Sequence, residues 1–363
     1  MQFHSEDWVV VRSEEDILAT LDKNGRLEGL PFMPEMFQYC GRRVRVSSSA
    51  HKTCGPDEGR YVALETKNLV HLGYRCDGSA HDGCQNGCQI FWHAAWLRHE
   101  DADAPAPVAN NPGHCSYADV VAATRLADVD GAKCYSCQAT ALKDYTRPLK
   151  WWDARAYWKS YQSRNHTLRE LISGICFMAF CKIAGPHGER FGARRRYDAF
   201  QRWRGGTPFP RRFGLVPLGK QTPVATLGLK PGDCVRIKSH QEILATLTHE
   251  GKNRGMYFDA ELVPFCGRVF RVRAVVEKFI DEEAGVMRYM KTPAVILENV
   301  YCLSLYAGKR TFCTRGYYSW WREAWLERVA DEEIAREPAG GFCPARAGQT
   351  LEPVAVTTMS HAR

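Results

Sequence analysis

The sequence predicts an α+β protein in which two repeated, small β-barrel modules with closing helices flank a helical, cysteine-bearing middle region. Three observations carry this expectation. Residues 7–46 align with residues 233–272 without a gap. Both stretches begin with alternating Val or Ile, the period-two pattern of a half-buried strand. The region between them has a different composition, rich in arginine and tryptophan.

Each repeat reads alike from its start. Asp7 to Arg12 and Asp233 to Lys238 are the opening strands. Ser13-x-x-Asp16 and Ser239-x-x-Glu242 have the shape of a capping box, which places a side-chain acceptor over the free N–H groups of a short helix. Gly25 and Gly251 end those helices, and Cys40-Gly41-Arg42 answers Cys266-Gly267-Arg268. Strands follow at Val44–Val46 and Val269–Arg273, then near 60–64 and 68–72, and near 287–289 and 294–297. Ile90 to His99 and Tyr318 to Val329 are expected as Trp-rich closing helices, with Trp92/Trp96 and Trp321/Trp325 packed four residues apart.

Four or five short strands around a small core suggest a strongly bent barrel. In this respect each module resembles the SH3-like barrel class at the level of fold alone, and a fold does not carry a function. The expected boundaries are 1–100 for the first repeat with its cysteine cluster, 114–215 for the middle region, 228–330 for a degenerate second repeat, and 331–363 for a loosely held tail. Asp101 to Gly113 reads as a linker. Within 147–184, Leu168 to Ile183 reads as a buried helix.

The chain has 363 residues, a net charge of +8 and 15 cysteines. No basic, apolar leader opens it and no stretch is long and apolar enough to span a bilayer, so the expectation is a cytoplasmic chain with no membrane partner. Thiols in such a setting point to metal ligation rather than a disulfide framework. The first repeat carries Cys54, Cys76, Cys84 and Cys88, the last three in a loop with Gly78, Gly83 and Gly87. Glycine lets backbone N–H groups turn toward thiolates, and Cys88 is expected at a helix N-terminus, where the dipole favours thiolate. Cys115 and the Cys134-Tyr-Ser-Cys137 knuckle add further ligands, with His81 and His114 as an extra ligand or acid. Four thiolates suit tetrahedral zinc and equally an iron–sulfur cluster.

The second repeat is an internal control. It keeps Cys266, Cys302 and Cys313 but has Ile280 in place of Cys54 and Tyr317 in place of Cys88. Cys40 and Cys266 therefore read as core, as do Cys176 and Cys181. Glu35 and Glu261 recur together, and a role needed in both copies reads as a brace. The segment 187–213 is dense in arginine, including Arg194, Arg195, Arg196, Arg202 and Arg204, with aromatics between them. That pattern suits a polyanion or nucleic acid, a reading the residues do not favour over a solvated connector. The functional expectation is a thiolate-ligated metal protein, zinc or iron–sulfur, acting as a binding or scaffold protein through its barrels. An iron–sulfur or other metal-dependent enzyme of unknown substrate is the alternative. No phosphate-binding glycine loop, nucleophile elbow or His-Glu-x-x-His motif supports a named reaction.

Overall fold

The computed structural model of the protein describes residues 3–55, 61–100, 115–184, 192–306 and 310–330. The expected linker, His114, residues 187–191 of the arginine-rich stretch, and the 331–363 tail with Cys343 lie outside the described residues.

Each half is organised around its opening strand. Trp8–Val11 lies between Arg43–Arg45 and Leu97–His99, antiparallel to both. Val9 and Val11 point into the core, as the alternation requires. Cys234–Ile237 lies in the same way between Val269–Ile280 and Leu326–Arg328. The Ser13 hydroxyl accepts from Asp16 N, and the Ser239 hydroxyl accepts from Glu242 N, so each short helix is capped.

Aligned positions also make the same tertiary contacts. Trp96 Nε1 donates to Thr20 Oγ1 at 3.0 Å, and Trp325 Nε1 donates to Thr246 Oγ1 at 3.0 Å. Phe32 meets the edge of Trp96 at 5.0 Å between ring centroids, and Phe258 meets Trp325 at 5.1 Å. Trp96 and Trp325 are fully buried and each finds an acceptor for its indole N–H, whereas the indole N–H groups of the buried Trp92 and Trp321 find none.

The two barrel modules are not formed. The strands of the described residues fall into seven separate sheets, none of them closed. In the second half, Tyr318–Trp321 and Leu326–Arg328 occupy opposite edges of one open five-stranded sheet. In the first half, Tyr61–Leu64 pairs on one side with Lys52–Cys54 and on the other with Thr146–Pro148 of the middle region. The expected closing helices are also absent. Trp92–His93 and Tyr318–Trp321 are strands, each followed by one 3₁₀ turn (Ala94–Trp96, Glu323–Trp325) and a second strand. These segments spend their backbone hydrogen bonds on neighbouring strands, and His93 and Arg322 have extended dihedrals that break any helix.

The middle region mixes helices with strands. A hairpin, Arg125–Val129 with Ala132–Tyr135, precedes the helices Ala154–Gln162 and Leu168–Ala184. The second helix is not buried: Leu168 and Ile172 are more than half exposed, Cys176 is exposed, and Leu171, Gly174 and Met178 face inward. Its apolar residues run all round the helix while neighbours cover one face alone. Cys40 and Cys266 are half-buried, and burial pushes the Cys40 thiol up to about 11 and the Cys266 thiol up to about 12.

The halves meet at two places, one of them between segment 313–315 and the strand Lys52–Cys54. The long hairpin Val269–Ile280 and Met287–Tyr301 reaches past its own half and meets the loop between Cys76 and Cys88.

Candidate metal centre

The loop from Cys76 to Cys88 is shaped by glycines. Gly78 has φ +74°, and a Cβ there would lie 2.1 Å from the Cys84 carbonyl oxygen. Gly78 O accepts the N–H groups of His81 and Gly83, both at 3.0 Å, which folds the loop into a tight ring. Gly87 has φ +58°, and its missing side chain makes room for the Tyr318 ring. The loop is then fastened to the second half. Gln85 Nε2 donates to Val275 O, Gln85 Oε1 accepts from Glu277 N and Lys278 N, and Asn86 Nδ2 donates to Ile280 O.

This folding brings four thiols, Cys76, Cys84, Cys88 and Cys137, to the wall of one cavity of about 30 Å³, with His81, Gln138 and Arg315. Two of the sulfurs are met by backbone donors in the same local pattern. Cys84 Sγ accepts from Asn86 N and, at 3.3 Å, from Ile280 N. Cys137 Sγ is met by the amides of Ala139 and Thr140. Donors aimed at sulfur favour thiolate. Burial opposes them and prevails in the protein alone, pushing Cys137 up to about 11 and raising Cys84 as well. Cys76 is raised by burial and then by the Glu35 carboxylate, and Cys88 by burial and then by Glu282. Such a set carries thiolate charge only when a cation joins it.

Beside the thiols sits a compact triad. Ligand atoms of Glu35, Cys76 and His81 all lie within 4.8 Å of one another, the one such group among the described residues. The Cys76 thiol donates to Glu35 Oε1 at 2.9 Å. His81 Nε2 lies 3.1 Å from Ser136 O, which fixes the proton on that nitrogen and turns Nδ1 toward Glu35 Oε1 at 3.3 Å. Burial pulls the His81 pKa down, and the Glu35 carboxylate more than offsets it, so the imidazole is raised overall. Glu35 Oε2 is buried without a hydrogen-bond partner.

Cys76, Cys84, Cys88, Cys137 and His81 thus meet as expected ligands, and three expected ligands do not join them. Cys54 lies in a separate cluster with Tyr61 and Cys313. Cys115 packs in the first-half core, where its thiol donates to Ser116 O at 3.7 Å. Cys134 is held in the Ala132–Tyr135 strand with its thiol directed to Ala132 O, so the knuckle divides and only Cys137 reaches the cavity. Cys88 is not at a helix N-terminus, since a strand follows it. Its nearby positive charge is the guanidinium of Arg315.

Two residues of the centre were invisible as such in the sequence. Arg315 is fully buried, pairs with Glu282 at 3.0 Å and donates to Cys54 O at 3.2 Å. Gln138 ties the wall together, accepting from Phe91 N and donating to Pro31 O and Phe91 O. Glu35 did carry a signal, its recurrence at Glu261.

Of the arginine-rich segment, helix Ala193–Arg204 is described. Arg194 donates to Ala184 O and lies over Phe209, while Arg195, Arg196, Arg202 and Arg204 are exposed. No helix among the described residues is long and apolar enough to cross a membrane. Comparison with protein-family models finds none that matches the chain, and no curated protein matches it either.

Proposed function

We propose that the protein binds a metal through Cys76, Cys84, Cys88 and Cys137, with His81 and Glu35 beside them, and that this centre fastens the first half of the chain onto the second. The observation that carries the reading is the pair of sulfurs, Cys84 and Cys137, each accepting the amide two residues ahead inside one buried cavity. Thiolate ligands need that kind of surrounding support. His81 fits the same pattern, because a ligating imidazole commonly donates its other N–H to a backbone carbonyl. The role is one of binding and assembly, since the loop carrying three of the thiols is bonded to the strand Val269–Ile280.

An iron–sulfur cluster is the second reading, and the spread of the thiols favours it. Four thiolates on one zinc at about 2.3 Å stand roughly 4 Å apart, and no three of these sulfurs lie within 4.8 Å of one another. A four-iron, four-sulfide cluster gives each of four thiolates its own iron and so holds them wider.

Elemental analysis and an absorption spectrum of anaerobically purified protein test both readings. Stoichiometric zinc in a colourless protein supports the first, and iron with sulfide in a brown one supports the second. Cys84→Ala and Cys88→Ala are each expected to lose the metal, whereas Cys176→Ala keeps it. Equal metal content in all four proteins, or none in the wild type, contradicts the proposal.

A further inference from the structure

A second thiol cluster lies across Arg315 from the first. Cys54, Cys302 and Cys313 line a cavity of about 240 Å³ together with Arg310, Arg315 and Tyr317. Segment 313–315 packs along the strand Lys52–Cys54. Thr314 Oγ1 donates to Lys52 O at 3.4 Å, Arg315 Nη1 donates to Cys54 O at 3.2 Å, and Thr53 Oγ1 stands 3.9 Å from Cys313 Sγ. The two side chains, Cys54 and Cys313, pack in one buried cluster with Tyr61.

We propose that Cys54 and Cys313 are a peroxide-reactive dithiol whose oxidation to a disulfide ties the strand Lys52–Cys54 to the segment following Arg310. Three features support the assignment. The Cys54 thiol packs beside Cys313 Sγ, which accepts from Arg315 N at 3.5 Å, with the Arg315 guanidinium nearby. These interactions hold the Cys313 thiol well below its usual range while Cys54 is pushed up, so one sulfur is the nucleophile and the other keeps its proton. Both residues are more than nine-tenths buried, which keeps out a bulky disulfide, and the cavity of about 240 Å³ that they line has room for a hydroperoxide. Cys302 lines the same cavity but is bonded to Ser304 Oγ and raised by burial, which makes it an internal control.

The chemistry balances in two steps. The Cys313 thiolate attacks the O–O bond of a hydroperoxide, an S–O bond forms, the O–O bond breaks, and the departing alkoxide or hydroxide takes a proton from water. Cys313 is now a sulfenic acid. Cys54 then attacks that sulfur, an S–S bond forms, the S–O bond breaks, and the hydroxide leaves as water with the Cys54 proton. Two thiols are oxidised and one peroxide is reduced.

The test treats the full-length, metal-loaded protein with equimolar hydrogen peroxide, blocks free thiols by alkylation, and maps peptides without reduction. A Cys54–Cys313 cross-linked peptide is expected in the wild type. Cys54→Ser is expected to stop at the sulfenic acid, trapped by dimedone on Cys313, and Cys302 should react at least about tenfold more slowly than Cys313. A wild type with no such cross-link and an unmodified Cys313, or with Cys302 oxidised as fast as Cys313, overturns the proposal. Circular dichroism checks that the variant folds, and if it does not, the wild-type map decides alone.

Discussion

Glu35 and Glu261 occupy aligned positions and are both buried, yet their carboxylates do different things. Glu261 accepts the N–H groups of Leu305 and Tyr306, so it braces a turn. Glu35 faces Cys76 and His81 instead, and one of its oxygens has no hydrogen-bond partner. The sequence supports a brace at both positions, and that reading describes Glu261 alone. Another residue, alongside His51 and His240, contributes to a pH limit on the fold. His71 is fully buried, its Nδ1 stands 2.9 Å from Ile90 O, and burial pulls its pKa down to about 4. The unfolded chain takes up that proton near pH 6.5 and the folded one near 4, so stability is complete above about pH 7 and falls as the pH drops toward 4. At pH 5 the loss from this residue is about 2 kcal/mol. Urea titrations at pH 7 and pH 5 should show a lower midpoint at pH 5, and the drop should shrink in His71→Gln. The same drop in both proteins would remove His71 as its source.

At the scale of elements, the loop Cys84–Cys88 is held by its contacts with the strand Val269–Ile280. The Gln85 side chain supplies three of them, two as acceptor and one as donor. Gln85→Ala leaves those backbone groups without their partner, at about 2 kcal/mol for the set. Chemical denaturation should report that loss, together with weaker metal retention. A variant as stable as the wild type and fully loaded would show that the loop stands without the strand. The capped helices and the opening strands were legible in the sequence because their signals are local: a hydroxyl three residues before an amide, and alternation of Val and Ile. The closing segments were not. Trp92 and Trp96 are spaced as on a helix and are both buried, but a strand followed by a 3₁₀ turn buries the same pair. Periodicity over ten residues does not separate these two solutions when the edge strand that decides between them is distant in sequence.

At the scale of the molecule, the proposed centre lies where the halves meet, so metal and tertiary structure are coupled. A ligand that binds only the folded form adds stability according to its affinity. Removing the metal with a chelator under reducing conditions should lower the thermal midpoint by on the order of 10 °C. Cys84→Ala should melt at the chelated temperature whether or not chelator is present. A wild-type midpoint insensitive to chelator would mean that the centre does not join the halves.

The sequence by itself determined the local elements, the ungapped match between 7–46 and 233–272, and the thiol loop as the place to look. Cys76, Cys84 and Cys88 share one short, glycine-rich segment, so chain connectivity alone keeps them close. Tertiary structure decided the rest. It left the sheets open and paired Thr146–Pro148 of the middle region with Tyr61–Leu64 of the first half. It drew Cys137 into the first cluster and sent Cys54 to Cys313, far along the chain. Contacts of that range follow from which strand edges and buried charges find each other in the packed molecule. Arg315, set between the two thiol clusters, has no signature in the sequence until the fold surrounds it.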